Sequence, residues 1–562
     1  MEISHLIVGG GTAGCVVASR LSEDSDNRVV LVEAGADYAP DLVPEDIAAS
    51  YAGRALYNRS YFWPDMTVRR GNGSADDEIK YEQARVIGGG SSINGQVALR
   101  GAPSDYDRWE AMGAEGWGWN AVLPYFRKLE TDLDFNGQNH GAHGPIAIRR
   151  ISESDWDGFT KSVVAAWAAA GHVRRDDMND GLEVGFAPVP VSHDGKQRVS
   201  TVLGYLNESV RRRPNLQVMA DTEVRRLIFE ERRCVGVEVR RGGELTVLRA
   251  RRVILCAGSL RTPWLMMKSG VGPAAHLREH GVTPVVDSAG VGQQLQDHPT
   301  VSIVAFKARD VRHKAIRHNY ANLVYSSGLP DVPAGDMVMS VICKTAWHAL
   351  GDRLGALSTY VGKPFSTGSV RLASKGLDAD PLVTFNWLAD ERDAERAASS
   401  FRMMATLLRS ERFRDVVLDS FASGFSPRVK KIGALTTANR LLTLVAGTAM
   451  DVSASLRRQI IRRVAMDGPP VEALLADEAL LKGYLRATVT GIWHPCGTTR
   501  MGRATDKSSV VDTCGRVIGV DNLSVADASV MPEIPTTNLN IPTIMIAERI
   551  ADFIKQEERR AA

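Results

Sequence analysis

The sequence predicts an α/β protein in which a parallel sheet, assembled from separated stretches of chain, is interleaved with a second part of α+β character. Three observations predict it. The chain opens on an apolar run, a glycine-rich turn, a helical pattern and a second apolar run. A further apolar run, "RRVILCAG" (Arg251 to Gly258), leads straight into the helical pattern "SLRTPWLMMKSGVG". Near the end, "NLSVADASVMP" closes another run in acidic and small residues ahead of the helical "NIPTIMIAERIADFIKQEE". At 562 residues the chain exceeds one ordinary core, so two or more domains are expected.

The first unit reads as a strand Ile3 to Val8, a helix from about Ala13 to Leu21 and a strand Arg28 to Glu33, a β-turn-α-β arrangement that implies a right-handed crossover. No repeat of 20 to 50 residues is visible. Residues 151–204 and 306–487 differ in texture, alternating strand-like runs ("GSVRLAS", "PLVTFNW") with amphipathic helices ("ERAASSFRMMATLLRS"). The expected division assigns 1–150, 205–305 and 488–562 to the parallel-sheet domain and 151–204 and 306–487 to the second.

Hydrophobic residues make up 44% of the chain and charged ones 24%, the balance of a folded globular protein. Lys and Arg total 68 against 66 Asp and Glu, so no overall field attracts nucleic acid or a membrane. The six cysteines are scattered without a CxxC pair, which argues against a disulfide framework or a zinc site and suits a reducing, cytoplasmic setting. No signal peptide is visible, and no apolar stretch reaches 18 residues. Residues 428–463 stand out, with eight basic residues and one acid, Asp451. Such a segment fits a helix lying on a membrane surface or, the plainer reading, a helix pair at a subunit contact or site entrance; a monomer and a homodimer both remain open.

"GGGTAG" places Gly9, Gly11 and Gly14 in a GxGxxG pattern between the first strand and helix, with Thr12 and Ala13 opening the helix. The glycines permit a tight turn and close backbone approach, so the helix N-terminus can hold a pyrophosphate. Glu33 ends the second strand at the spacing from which a carboxylate reaches a ribose, with Ala34 beside it, so a dinucleotide is expected. A glycine and serine run, "ARVIGGGSSINGQVALRGAPSDYDRW", offers backbone to wrap a second part of such a ligand.

Taken with "GSLRTPWLMMKSGVG" and "AGVGQQLQDHP", that run makes the chain resemble the glucose-methanol-choline (GMC) oxidoreductases from end to end. The resemblance implies a Rossmann-type FAD-binding domain, a substrate domain with an antiparallel sheet, and a cofactor site to which Arg85, Gly88, Gly89, Ser91, Asn94, Gly95, Val224, Ala257, Gly258, Asp527, Ala528, Asn538, Pro542 and Thr543 contribute with the residues above. Members with covalent flavin carry histidine just before the asparagine of the glycine loop; Ile93 stands there, so non-covalent FAD is expected. Gln294 replaces a usual asparagine.

The same resemblance puts His494, in "GIWHPCGTTR", at the catalytic base, and imidazole titrates near working pH. It puts the second catalytic position on Asn540, which can bond the substrate oxygen but not act as a base. A metal is not expected, since no second ligand lies at suitable spacing, and Cys496 reads as an inert thiol. Similarity to the bacterial branch that oxidises hydroxymethylfurfural and aryl alcohols implies a primary alcohol on an aromatic or furan ring as the small-molecule substrate, oxidised to the aldehyde and onward to the acid through its hydrate, with oxygen the expected electron acceptor and another acceptor the alternative. The expected pocket wall is Trp493, Trp347, Tyr360 and Phe365. A choline-type dehydrogenase and a non-redox hydroxynitrile lyase are the alternatives.

Overall fold

A computed structural model describes every residue except 1, 72–76, 313–315, 331, 375, 425, 467 and 562. Strand β1 (Ile3–Val8) lies mid-sheet, and its Leu6, Ile7 and Val8 are buried because neighbours and helices cover both faces. On one side β1 pairs in parallel with β2 (Val29–Val32), which pairs with Leu216–Met219. On the other it pairs with the end of Glu244–Leu255, which pairs in turn with Leu523–Val525. These parallel strands come from three distant stretches of chain. The first half of Glu244–Leu255 runs beyond them into an antiparallel meander with Arg233–Arg241 and Thr222–Glu230.

Helix α1 (Thr12–Leu21) follows β1 and packs against the C-terminal helix Asn540–Ala561. A buried carboxylate lies between them. Glu548 accepts hydrogen bonds from Arg20 Nε at 2.9 Å, Arg20 Nη2 at 2.7 Å and the Tyr205 hydroxyl at 2.7 Å. Its charge is compensated by Arg20 and by Lys128, 3.0 Å away.

The second large sheet is antiparallel. Its strand order is Val417–Ala422, Pro299–Lys307, Leu354–Val361, Met337–Ile342, Asn319–Tyr325 and Gly185–Pro188. Helix Glu391–Leu408, capped by Asp390, presses Phe401 and Met404 onto one face, where Thr359 donates to the Met404 sulfur. Side chains alternate along a strand, so Ser358 and Tyr360 point to the opposite face, towards a central cavity. The runs "GSVRLAS" and "PLVTFNW" form short strands, Ser369–Arg371 and Leu382–Thr384, that pair in a separate four-stranded sheet. Thr490–Gly491 adds to the start of Pro299–Lys307, and this last rung delivers the segment carrying His494 to the cavity.

Candidate active site

The glycine turn does two different jobs. Gly9 has φ +98°, and a methyl group there would lie 2.6 Å from the Cys256 carbonyl oxygen; one on Gly14 would lie 1.9 Å from the Gly9 oxygen. Those two glycines let strand, turn and helix close on one another. At Gly11 a methyl would meet nothing nearer than 3.9 Å, and at Gly90 nothing within 4 Å, because both face a cavity of about 610 Å³. Glu33 forms part of its wall. Each of its oxygens accepts a backbone N–H, from Gly10 and Gly35, both at 2.7 Å. Burial nevertheless pushes this carboxyl up to about 6.

The cavity gathers most of the expected cofactor residues, namely Gly9, Gly11, Thr12, Ala13, Glu33, Ala34, Gly89, Asn94, Gly95, Val224, Ala257, Gly258, Asp527, Ala528, Asn538 and Thr543, and Asn540 lines it too. Five do not line it, and four of these have visible work behind the wall. Gly14 closes the turn, and Gly88 N–H donates to the Gly10 carbonyl at 2.7 Å. The Ser91 hydroxyl donates to the Gly88 carbonyl, and Arg85 Nε to the Ala34 carbonyl. Pro542 sits in the first turn of the C-terminal helix. Asp527, though on the wall, spends its carboxylate on protein groups, accepting from Gly258 N–H at 2.8 Å, Thr262 Oγ1 at 2.7 Å and Ser529 N–H at 2.9 Å.

At the other end of the cavity stands His494. Its Nδ1 is 2.9 Å from Nδ1 of His298, and its Nε2 is 3.2 Å from Nδ2 of Asn538. His298 Nε2 lies 3.1 Å from the Gly362 carbonyl oxygen and 3.0 Å from that of Pro535. Two carbonyls can only accept, so Nε2 of His298 carries the proton. Burial, with the Lys363 charge nearby, holds His298 well below the usual imidazole range, so its Nδ1 is a bare acceptor. His494 must then donate from Nδ1. Its Nε2 keeps a lone pair beside the Asn538 amide, and burial pushes this imidazole down to about 3, neutral at physiological pH. The chain of carbonyls, His298 and His494 therefore selects one tautomer.

Several contacts hold the relay in place. Asp297 accepts from the backbone N–H groups of both His298, at 2.8 Å, and His494, at 2.9 Å. Trp493 takes φ +60°, an uncommon conformation for so bulky a residue, at the turn that brings the His494 amide to Asp297. The loop before Asn538 is fastened by Ile534 N–H to Gln296 Oε1 at 2.9 Å, Lys363 Nζ to the Ile534 carbonyl at 2.7 Å and Thr536 N–H to Asp105 at 3.0 Å.

Three expectations need correction. The asparagine beside His494 is Asn538; Asn540 turns the other way, at the start of the helix, and accepts from Thr12 Oγ1 at 3.3 Å at the nucleotide turn. Trp347 and Phe365 do not line the cavity. The Trp347 indole donates to the Gly433 carbonyl at 2.7 Å, and Phe365 lies under the Arg392 guanidinium, 3.4 Å from its ring centroid. Tyr360 and Trp493 do line it, but the sheet face beside them is polar, formed by Asn322, Ser340 and Ser358 in one cross-strand row. The Tyr360 hydroxyl is buried there without a protein partner. A second histidine does stand next to His494, which sequence spacing concealed. Both nitrogens of His298 are engaged, so it has none to offer a metal. The Cys496 thiol is buried and pushed well above its ordinary value, as an inert group would be. His298 lies in the "DHP" stretch, and the one sequence signal for its role is a histidine beside an aspartate there.

A glycine-turn nucleotide cradle opening on a neutral, oriented imidazole defines a cofactor-dependent enzyme. Comparison with known proteins agrees: GMC oxidoreductase family models match residues 3–300 and 364–547, and the chain belongs to that family. It is 38% identical over 568 residues to the 5-(hydroxymethyl)furfural oxidase of Methylovorus sp. (strain MP688), with 98% of each chain covered. It is 31% identical over 588 residues to the oxygen-dependent choline dehydrogenase of Sinorhizobium fredii (strain NBRC 101917 / NGR234), covering 99% of this chain and 96% of that one. The crystal structure of pyridoxine 4-oxidase from Mesorbium loti superposes with a TM-score of 0.82 at 26% identity over 99% of both chains. No helix among the described residues is long and apolar enough to cross a membrane.

Proposed function

We propose that the protein holds FAD non-covalently and oxidises a primary alcohol carried on an aromatic or furan ring to the aldehyde, with oxygen as electron acceptor. The residues present suit that cofactor. Gly11 and Gly90 leave open space where a Cβ would intrude, α1 aims its N-terminus at that space, and Glu33 waits where a ribose hydroxyl pair would bind. Ile93 lines the cavity with a hydrocarbon side chain, so it forms no bond to the ring. Bound FAD supplies the acceptor for the hydride that leaves the carbinol carbon.

The observation that carries the reading is the unprotonated Nε2 of His494, which accepts from the Asn538 amide until a substrate hydroxyl takes that place. A carbinol hydroxyl entering between them donates its proton towards His494 Nε2 while its oxygen accepts from Asn538 Nδ2. His298 keeps the His494 proton on Nδ1, so Nε2 is ready to receive another. Asn538 stabilises the alkoxide character that grows as the proton leaves. Neither asparagine can replace the base. An aldehyde hydrate presents the same O–H and C–H pair, so onward oxidation to the acid uses the same groups.

The test is anaerobic mixing of the yellow holoenzyme with hydroxymethylfurfural, benzyl alcohol and choline in turn, then admission of air. Bleaching by the ring alcohols with rapid return of colour in air is expected. Bleaching by choline alone would overturn the substrate class, slow return of colour would point to another acceptor, and lasting yellow with every alcohol would overturn the redox role.

A further inference from the structure

Helix Thr437–Val452 has one face with an evident purpose and one without. Thr443, Gly447 and Met450 are buried against the protein, and Met450 packs with Phe306 and Phe421. On the opposite side, at helical spacing, Leu441, Val445 and Val452 are 63%, 60% and 77% exposed, and Leu442 and Leu444 flank them at 58% and 50%. Leu456 of the next helix adds to the patch at 46%. A water-soluble surface seldom gathers so many large apolar side chains in one place.

The charges this segment exposes are mostly positive. Arg428, Lys431, Arg440, Arg462 and Arg463 are exposed, as is Arg458, which pairs with Asp419 at 3.2 Å, while Glu45 and Asp46 lie beside Arg440 at one end of the helix. The one acid of the segment, Asp451, is turned inward and held by Arg312 at 2.7 Å and Arg353 at 2.8 Å. Pairing of two such faces in a symmetric dimer would set arginine against arginine around the seam. A layer of anionic lipid headgroups has the opposite charge and, beneath it, the apolar depth that leucines need.

We infer that this helix is a docking face for an anionic bilayer surface, on which the protein lies without crossing it. The preceding helix, Pro427–Gly433, ties the face to the cavity, since Gly433 packs on the ring of Tyr57, a cavity-wall residue.

The test uses the full holoenzyme and vesicles of phosphatidylcholine, with or without about one-third phosphatidylglycerol, in a co-sedimentation assay. Sedimentation with the anionic vesicles only is expected, and high salt should weaken it. The double variant Leu441→Glu/Val445→Glu should cut the bound fraction about tenfold or more while leaving flavin content and turnover of a soluble alcohol unchanged, because neither residue touches the core or the site. The variant Arg462→Glu/Arg463→Glu should weaken binding to anionic vesicles while keeping the apolar face. Failure of the wild-type holoenzyme to sediment with anionic vesicles would overturn the inference. So would a stable dimer, seen by light scattering, that the Leu441/Val445 variant dissociates; the occupant would then be a second copy of this chain.

Discussion

Replacing His298 by leucine tests the relay at its least obvious member. In the native arrangement His494 Nδ1 donates across 2.9 Å to a histidine whose other nitrogen serves two carbonyls. Leucine removes the acceptor. A buried donor without a partner costs about 1–3 kcal/mol, so the proton of His494 is released to Nε2, the atom that must be vacant for catalysis. Restoring the competent tautomer then takes back that same energy, and at 1.4 kcal/mol per tenfold the rate of flavin reduction should fall roughly 5- to 150-fold. The assay is anaerobic stopped-flow reduction at saturating alcohol, with FAD content and affinity measured in parallel to show that the cofactor site is intact. His298→Gln, whose amide offers both a donor and an acceptor, should recover part of the rate. A leucine variant that reduces flavin at the wild-type rate would refute the tautomer argument.

Other consequences follow from the same structure. His193, His298, His318, His348 and His494 are all held below the ordinary imidazole value by burial, whereas Glu33, Asp297 and Asp527 are held above the ordinary carboxylate value. As pH falls from about 6.5 to about 4, unfolding takes up protons on the histidines faster than folding does on the three acids. Because depressed histidines, His172 and His276 among them, outnumber the raised carboxyls, apoprotein stability should fall as pH drops through that window, as urea titrations at stepped pH will show. Glu548→Ala takes the buried acceptor from the Tyr205 hydroxyl and leaves Arg20 with Glu23 alone, 2.8 Å away, and should lower the unfolding free energy by ~3 kcal/mol, read from the denaturant midpoint. Gln294 is exposed and holds φ +58°, a conformation that asparagine adopts more readily, so Gln294→Asn should stabilise by ~0.5–1 kcal/mol without changing activity.

Local chemistry made the nucleotide half of the site readable. Gly9, Gly11, Gly14 and Glu33 fall within one β-turn-α-β unit, and their spacing carries their roles because a tight turn and a strand end are short-range structures. The antiparallel sheet was legible only as texture, since its pairings join residues far apart in sequence, such as Pro299–Lys307 with Val417–Ala422. His298 escaped because its meaning lies in partners 64, 196 and 237 residues away. Asn538 and Asn540 could not be told apart at the entrance of a helix, where two residues of spacing send side chains in opposed directions and only the packed structure decides which meets His494. Trp347 and Phe365 show the weakness of choosing a pocket wall by residue type, since an indole finds a carbonyl and a phenyl finds an arginine as readily as either finds a cavity.

The measurement that bears most directly on alcohol oxidation by this chain is single-turnover reduction of its bound FAD, in wild type and in His494→Ala, by a ring-borne primary alcohol under argon. With the imidazole gone and the cradle untouched, the variant should stay fully flavinated and bleach at least ~10²-fold more slowly than wild type. Bleaching of the alanine variant at the wild-type rate would contradict the account, because the proton would then be leaving by a route in which His494 takes no part.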